Sequence, residues 1–122
     1  RWADHLVIFY PLWLGSMPAL LKAFLEQVFR PGVAFEYRAQ GKMAKQLFTG
    51  KSARIVVTMD MPALVYRWFF LAHNLKSLER NILAFCGIKP TRATLIGQVE
   101  GMNERQRASW LDEMRGLGDV GK

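Results

Sequence analysis

The hydrophobic residues of this chain follow two patterns. A continuous apolar run at residues 6–10 and a run rich in β-branched residues at 54–58 are typical of buried strands, and residues 91–97 are predicted to form a third strand. Between and after these runs, apolar residues recur three and four positions apart, as they do on one face of a helix. The pattern therefore predicts three strands in alternation with helices.

The first predicted helix has the clearest periodicity and recognisable ends. The hydroxyl of Ser16 can cap its start, and Pro18 is tolerated in its first turn. Pro31, followed by Gly32, ends it. The apolar face consists of Met17, Leu20, Leu21, Phe24, Leu25, Val28 and Phe29.

Cap signals also place the two later helices. Asn74 is a good cap for a second long helix, which ends at Gly87, where glycine allows the left-handed conformation. Asn103 and Gln106 match a capping box at the start of the last helix. The helices thus begin and end between the predicted strands.

Two segments have less regular patterns. Residues 32–52 show no clear period, and we expect an extended piece at residues 33–37 and a helical turn near residues 43–48. Residues 63–71 are strongly aromatic. They fit either a loop-borne cluster or a short helix.

The order of elements predicts an α/β domain with a doubly wound parallel sheet. Long helical crossovers connect parallel strands, and the helices then cover both faces of the sheet. A chain of 122 residues has room for one domain, but a doubly wound sheet usually has about five strands. We therefore expect residues 1–122 to be the C-terminal portion of a single larger domain, with its last three strands and helices.

Charge and composition limit the classes of partner that we expect for this chain. The 17 basic and 10 acidic residues give a net charge of +7, which favours anionic partners. The basic residues are scattered rather than gathered in one run or helical stripe, so we expect no nucleic-acid partner. Salt-sensitive binding to DNA or RNA would indicate one. The apolar runs are too short or too interrupted to span a bilayer, so no membrane segment is expected.

The cysteine and histidine content argues against disulfide and metal chemistry. Cys86 is the single cysteine, which excludes an internal disulfide and fits a cytoplasmic protein. We interpret it as a small buried residue of an apolar helical face. His5 has no partner at ligand spacing, so no metal site is predicted.

The most informative segment is residues 9–22, with the sequence FYPLWLGSMPALLK. It is an apolar strand that breaks at Pro11, turns through Trp13 and Gly15, and restarts as a helix. The carboxyl ends of parallel strands form the edge at which open α/β sheets bind cofactors. The segment therefore places an indole and several main-chain amides where a cofactor would bind.

Several blocks of residues match one family. They are ADHLV at residues 3–7, PLW at 11–13, PALLK at 18–22 and NILAFCGI at 81–88. They resemble the NAD(P)H:quinone oxidoreductases of the flavodoxin-like fold, which include the DT-diaphorase type and its bacterial relatives. The resemblance covers nearly the whole chain. It implies a flavodoxin-like sheet whose first strand, phosphate loop and second strand precede Arg1.

The resemblance implies a flavin at the loop after the first predicted strand. Leu12 and Trp13 would flank its ring, and the amides of Trp13 and Leu14 would face its polar edge. Gly15 permits the tight turn. An ordinary strand–helix turn with a core tryptophan is the alternative. The predicted cofactor-binding residues of this loop are Pro11, Leu12, Trp13, Leu14 and Gly15.

A second cofactor loop is implied at the end of the second predicted strand. It consists of Thr58, Met59 and Asp60, and some family members carry glycines where this chain has Met59 and Asp60. The alternative for Asp60 is a helix cap before Pro62.

Tyr66 and His73 are the catalytic residues that the resemblance implies. A phenol and an imidazole can donate hydrogen bonds to charge that develops during hydride transfer. A purely structural role is the alternative for each. Trp68, Phe69 and Phe70 fit the wall of a quinone pocket, a dimer contact or core packing.

The implied function is that of a flavin-dependent oxidoreductase. It would take hydride from NADPH or NADH and pass two electrons to a quinone in ping-pong order. FMN is the expected cofactor, with FAD as the alternative, and a homodimer is the expected assembly. The alternative function is a non-catalytic ancillary subunit, for example of a potassium-efflux system. A bound yellow chromophore with NADPH-dependent quinone reduction would favour the enzyme.

Overall fold

The computed structural model describes residues 2–39 and 42–122. The described chain begins with one long strand and one helix, continues through a short hairpin, and then alternates longer elements. In chain order these are β1 (His5–Pro11), α1 (Ala19–Val28), β2 (Phe35–Glu36), β3 (Lys45–Gln46), β4 (Ser52–Thr58), α2 (Ala63–Trp68), α3 (His73–Ser77) with a π-helical continuation (Leu78–Ala84), β5 (Thr91–Ile96) and α4 (Glu104–Asp119).

The three long strands form one parallel sheet in the order β1-β4-β5. In the centre, β4 has five consecutive buried residues, Ala53 to Val57, as expected of a strand covered on both faces. The predicted α/β fold with a parallel sheet is confirmed, and each predicted strand overlaps an observed one.

The hairpin of β2 and β3 corrects one expectation. The extended piece within residues 33–37 is confirmed by β2, but the helical turn near residues 43–48 is wrong. Lys45 and Gln46 pair antiparallel with β2 instead. The Gln46 side chain also donates to the carbonyl of Ala84 at 2.9 Å. This long-range contact holds the segment in an extended form.

The main hydrophobic core lies on one face of the sheet. Alternate residues of β4, such as Ile55 and Val57, belong to it, because side chains alternate between faces along a strand. Leu25 of α1 packs in the same cluster. Leu78 and Leu83 of the π-helical continuation are fully buried there. The helices after β1 and β4 therefore share one core.

The structure confirms three of the five predicted helix ends, and the first of these is the end of α1 at Val28, before Pro31. The capping box of Asn103 and Gln106 is present at the start of α4. Gly87, with φ +100°, follows the π-helical continuation as the predicted left-handed stop. By contrast, Ser16 does not cap α1, which begins after Pro18 without a side-chain cap. Asn74 is not a cap either, since it lies inside α3.

The aromatic segment 63–71 resolves as a short helix followed by an exposed turn. Residues 63–68 form α2, and Tyr66 is its buried member. Trp68, Phe69 and Phe70 are exposed, so core packing does not apply to these three residues. The rings of Phe69 and Phe70 meet edge to face, with centroids 5.1 Å apart. An apolar surface therefore follows α2.

Candidate functional site

The loop after β1 is fixed at the carboxyl edge of the sheet. The amide of Leu12 donates to the carbonyl of Thr58 at 2.8 Å, which joins this loop to the end of β4. Trp13 and Ser16 exchange two main-chain hydrogen bonds, of 2.9 and 3.0 Å. Between them Leu14 and Gly15 both have positive φ, +50° and +74°. We call residues 12–16, closed in this way, the Trp13 turn.

The Trp13 turn presents an apolar surface and two donors. The Trp13 side chain is 62% exposed, and Leu14 is fully exposed. The Trp13 amide is used within the turn, so the predicted role for it toward a ligand does not fit. Among residues 2–39 and 42–122, no hydrogen bond uses the amide of Leu14 or Gly15. Because the indole is exposed, the alternative interpretation of Trp13 as a core tryptophan is wrong.

The loop after β4 lies beside the Trp13 turn, but its residues differ in availability. Met59 is buried, its amide donates to the carbonyl of Ile96, and its carbonyl accepts from Val99. Asp60 is exposed, and its carboxylate accepts from the amide of Glu100 at 3.2 Å. The cap interpretation of Asp60 is wrong, because α2 begins after Pro62 with no side-chain cap.

A closely packed glycine brings the loop after β5 against the loop after β4. Gly97, just after β5, packs so closely that a Cβ atom would lie 2.5 Å from the Ala63 amide nitrogen and 2.8 Å from the Met61 carbonyl oxygen. The main chain of the loop after β5 therefore contacts the main chain before α2. The loops after β4 and β5 form one packed unit.

A side-chain network under the Trp13 turn was not found from the sequence. The Tyr10 hydroxyl donates to Asn74 Oδ1 at 3.1 Å, and Asn74 Nδ2 donates to Ser16 Oγ at 2.9 Å. We call these three residues the Asn74 bridge. It connects the end of β1, the Trp13 turn and α3. The only sequence signal was the residue type of Asn74, which we interpreted as a helix cap.

The two predicted catalytic residues lie at different depths. Tyr66 is buried, and its hydroxyl has no hydrogen-bond partner among the described residues. Burial raises the pKa of this phenol; the nearby Leu75 amide, which lies outside hydrogen-bond geometry, only partly offsets the rise. His73 is exposed at the start of α3. The amide of Ala72, just before α3, donates to the Tyr66 carbonyl at 3.1 Å and joins the two segments.

The pKa values of two further groups are raised, those of Tyr10, which belongs to the Asn74 bridge, and of Glu79. Burial raises the pKa of Tyr10 far above its usual range, and the nearby Tyr66 and Glu79 add to the rise. Burial also raises the pKa of Glu79, while Arg80 and Lys76 act in the opposite direction. For each of these groups, burial disfavours the charged form.

The described residues contain neither a metal-binding cluster nor a helix suited to a membrane. Within residues 2–39 and 42–122, no three His, Cys, Asp or Glu side chains lie close enough together to hold a metal ion. In the same ranges, no helix combines the length and the apolarity that crossing a membrane requires.

Relatives of this chain carry oxidoreductase names. A curated protein of Haemophilus influenzae, named as an uncharacterized NAD(P)H oxidoreductase, is 25% identical over 111 residues, which cover 90% of this chain and 54% of the relative. An FMN-dependent NADH:quinone oxidoreductase of Hahella chejuensis is 39% identical over 88 residues, or 71% of this chain and 40% of the relative. The chain thus spans about half the length of these curated relatives.

The fold matches a solved structure and a family. The crystal structure of Smu.1420 from Streptococcus mutans is 32% identical, with a TM-score of 0.80, and the match covers 95% of this chain and 60% of that one. The family described as having a flavodoxin-like fold matches residues 1–116. The chain therefore belongs to this flavodoxin-like family.

Proposed function

We propose that this chain forms part of a flavin-dependent NAD(P)H oxidoreductase that passes two electrons to a quinone. The observation that carries the proposal is the Trp13 turn, with its exposed indole and two donors at the carboxyl edge of a parallel sheet. The names of the two curated relatives support it, because they include NAD(P)H, FMN and quinone.

The proposed cofactor is FMN, and the described residues fit it in part. The Trp13 indole offers a flat stacking surface, and the amides of Leu14 and Gly15 are placed to donate to polar ring atoms. When bound, FMN supplies the two-electron chemistry. Pro11, Leu12 and Thr58 would hold the turn in place. In the second loop, Asp60 would contact the cofactor. Met59 would not, since its amide and its carbonyl are both hydrogen-bonded within the protein.

For Tyr66 and His73 we propose roles as proton and hydrogen-bond donors to the quinone oxygen. A buried hydroxyl without a partner costs about 1–3 kcal/mol. A substrate oxygen that displaced the residues covering Tyr66 would offset that cost. His73 is accessible to solvent and to a substrate. NADPH or NADH and the quinone would use the same open surface in turn.

The proposed assembly is a homodimer. The exposed apolar surface formed by α2 and the residues that follow it supports a homodimer, since large apolar patches are unusual on the free surface of a protein. The same surface would form the wall of the quinone pocket at the subunit junction. Its exposed members are Leu64, Trp68, Phe69, Phe70 and Leu71.

We also propose that these residues form the C-terminal portion of one larger domain. Among the described residues, β1 pairs with β4 along one edge only. Beside β1 lies an apolar cavity of about 330 Å³, lined by residues of β1 and α1 such as Val7, Phe9 and Phe24. A further parallel strand would pair with β1 and cover this cavity. A cytoplasmic location stays a prediction.

The test of the cofactor site uses the full-length natural protein. Trp13→Ala removes the proposed stacking surface, and we expect it to weaken FMN binding by about 1–3 kcal/mol, as for aromatic stacking on nucleic-acid bases. Trp2→Ala is the matched control, because Trp2 is equally large and 93% exposed. Titration of the apoprotein with FMN, followed by flavin fluorescence, measures both affinities. Equal affinities in the two variants would contradict the site.

The test of the activity measures menadione reduction with NADH and with NADPH. The proposal expects His73→Asn to lower kcat by about 10²-fold without changing FMN affinity. Tyr66→Phe separates chemistry from packing, because losing an unbonded buried hydroxyl should leave stability unchanged or higher. A lower kcat with unchanged stability supports the catalytic role. The proposal would be contradicted if the protein carried no flavin and reduced no quinone with either NADH or NADPH.

A further inference from the structure

The tip of the Trp13 turn is held by hydrogen bonds rather than by packing. The side chains of Trp13 and Leu14 are exposed, so the hydrophobic core does not fix them. Leu14 has φ +50°, a conformation that is unfavourable for a residue with a Cβ atom. Contacts from outside the tip therefore help to keep the turn in this conformation.

Asn74 supplies such a contact from α3. Its Nδ2 donates to the Ser16 hydroxyl at 2.9 Å. The amide and the carbonyl of Ser16 are both bonded to Trp13, so the residue that closes the turn is also the one that Asn74 holds. A displacement of Asn74 would therefore act directly on the closure of the turn.

The Asn74 side chain is itself held in one orientation. Its Oδ1 accepts from the Tyr10 hydroxyl at 3.1 Å. Burial raises the pKa of Tyr10 far above its usual range, so this hydroxyl keeps its proton and remains a donor. A carboxamide has one acceptor oxygen and one NH₂ group. With the oxygen bonded to Tyr10, the NH₂ group is the one that meets Ser16.

Asn74 also stands beside a residue of the proposed site. It directly follows His73 at the start of α3, and Leu75, which follows it, is buried in the core. The side chain of Asn74 therefore connects the turn to the same short helix that carries His73. Two parts of the proposed site, the cofactor turn and the imidazole, are joined through one residue.

We propose that Asn74 is a positioning residue of the cofactor site, which acts through Ser16 to hold the Trp13 turn in its ligand-binding form. The inference rests on the proposed flavin site at this turn. Without the contact, the turn would adopt its present conformation for only part of the time. Apparent affinity falls in proportion to the fraction of protein in the binding-competent form. FMN binding therefore weakens even though Asn74 is not required to touch FMN.

The experiment titrates the apoprotein of the full-length natural protein with FMN and follows flavin fluorescence. Asn74→Ala and Ser16→Ala remove the contact from opposite sides, and each should weaken binding about tenfold, as when the competent fraction falls to about a tenth. The double variant should bind no more weakly than Asn74→Ala alone, because both changes remove the same hydrogen bond. Ser16→Thr keeps the hydroxyl and should bind FMN like the wild type.

Ile88→Val is the control for a general loss of stability. Ile88 is fully buried shortly before the start of β5, at the opposite edge of the sheet from the turn. The lost methyl group should lower the melting temperature by a few degrees. It should leave FMN affinity unchanged, which separates a positioning role from a purely structural one.

Hydrogen exchange of the apoprotein keeps this inference separate from the proposed function. The amides of Trp13 and Ser16 are hydrogen-bonded to each other's carbonyls while the turn is closed. They should exchange several-fold faster in Asn74→Ala and in Ser16→Ala than in the wild type, and at the wild-type rate in Ile88→Val. If the wild type binds no FMN, the proposed function fails, whereas the exchange rates still support or overturn the role of Asn74 in holding the turn.

Three outcomes overturn the inference. In the first, Asn74→Ala and Ser16→Ala bind FMN as tightly as Ile88→Val. In the second, the double variant loses the product of the two single losses, so that the residues act separately. In the third, the turn amides exchange at the wild-type rate in both variants. If Asn74→Ala does not fold, Ser16→Ala and Ser16→Thr decide the matter, because both leave the contact between Tyr10 and Asn74 in place.

Discussion

Asn74 and Ser16 are joined by a side-chain hydrogen bond of 2.9 Å, although 58 residues separate them in the chain. Through its other side-chain atom, Asn74 accepts a hydrogen bond from the Tyr10 hydroxyl. A residue of α3 therefore positions the Trp13 turn, whose own closure needs two consecutive residues with positive φ, Leu14 and Gly15. The bridge ties the open surface of the turn to the buried part of the fold.

The first prediction concerns the strength of this bridge. Asn74→Ala removes two part-buried hydrogen bonds and leaves the Tyr10 hydroxyl without its partner, so we expect a loss of about 1–3 kcal/mol in the free energy of unfolding. Asn81→Ala is the matched control, because its amide donates to the Ser77 hydroxyl at 3.3 Å in an exposed position. The control should change stability by less than about 0.5 kcal/mol. Urea denaturation measures both, and equal losses would contradict a special role for the bridge.

The second prediction compares a closely packed glycine with one that has free space around it. Gly97→Ala would place a Cβ atom 2.5 Å from the Ala63 amide nitrogen, so we expect a loss of about 1–3 kcal/mol or more as the two loops are pushed apart. Gly116→Ala lies in α4 with nothing within 4 Å of the new Cβ, and it should gain about 0.5–1 kcal/mol from helix propensity. Thermal unfolding of the two variants should therefore give shifts of opposite sign.

The third prediction concerns the pH dependence of stability. Burial raises the folded-state pKa of Glu79 above its unfolded value of 4.5. The folded state then binds more protons than the unfolded state between these two pKa values, so this group makes stability fall as pH rises through that window. Glu79→Gln should flatten the fall and be more stable than the wild type at pH 7. Stability measured from pH 4 to pH 7 tests this.

Glu113→Gln is the control for the pH series, because it removes the same charge from an exposed position of α4. It should keep the wild-type pH dependence. A Glu79→Gln variant whose stability falls with pH as steeply as that of the wild type would show that another group is responsible.

The fourth prediction concerns the thiol of Cys86. The residue is 1% exposed, and burial raises the pKa of the thiol to about 11. Since the thiolate is the reactive form, the native protein should resist iodoacetamide at pH 8 and react readily once it is unfolded in urea. Mass spectrometry of the alkylated protein measures the difference. Rapid modification of the native protein would mean that the helix end around Cys86 opens easily.

The sequence alone identified the features that depend on near neighbours. The apolar and β-branched runs that became β1 and β4 were recognised because burial in a sheet removes polar residues from a strand. The capping box of Asn103 and Gln106 was recognised because both partners lie within one helical turn. These patterns were sufficient for the parallel α/β fold and for the loop that carries Trp13.

The tertiary structure decided everything that depends on distant partners. Ser16 and Asn74 have the residue types of helix caps, but each uses its side chain in the bridge instead. Lys45 and Gln46 pair with β2 and do not form a helical turn, and Met59 is buried at the position of a predicted contact. Local composition records which residue types stand side by side. Only the folded chain determines which donor meets which acceptor and which side chain reaches solvent.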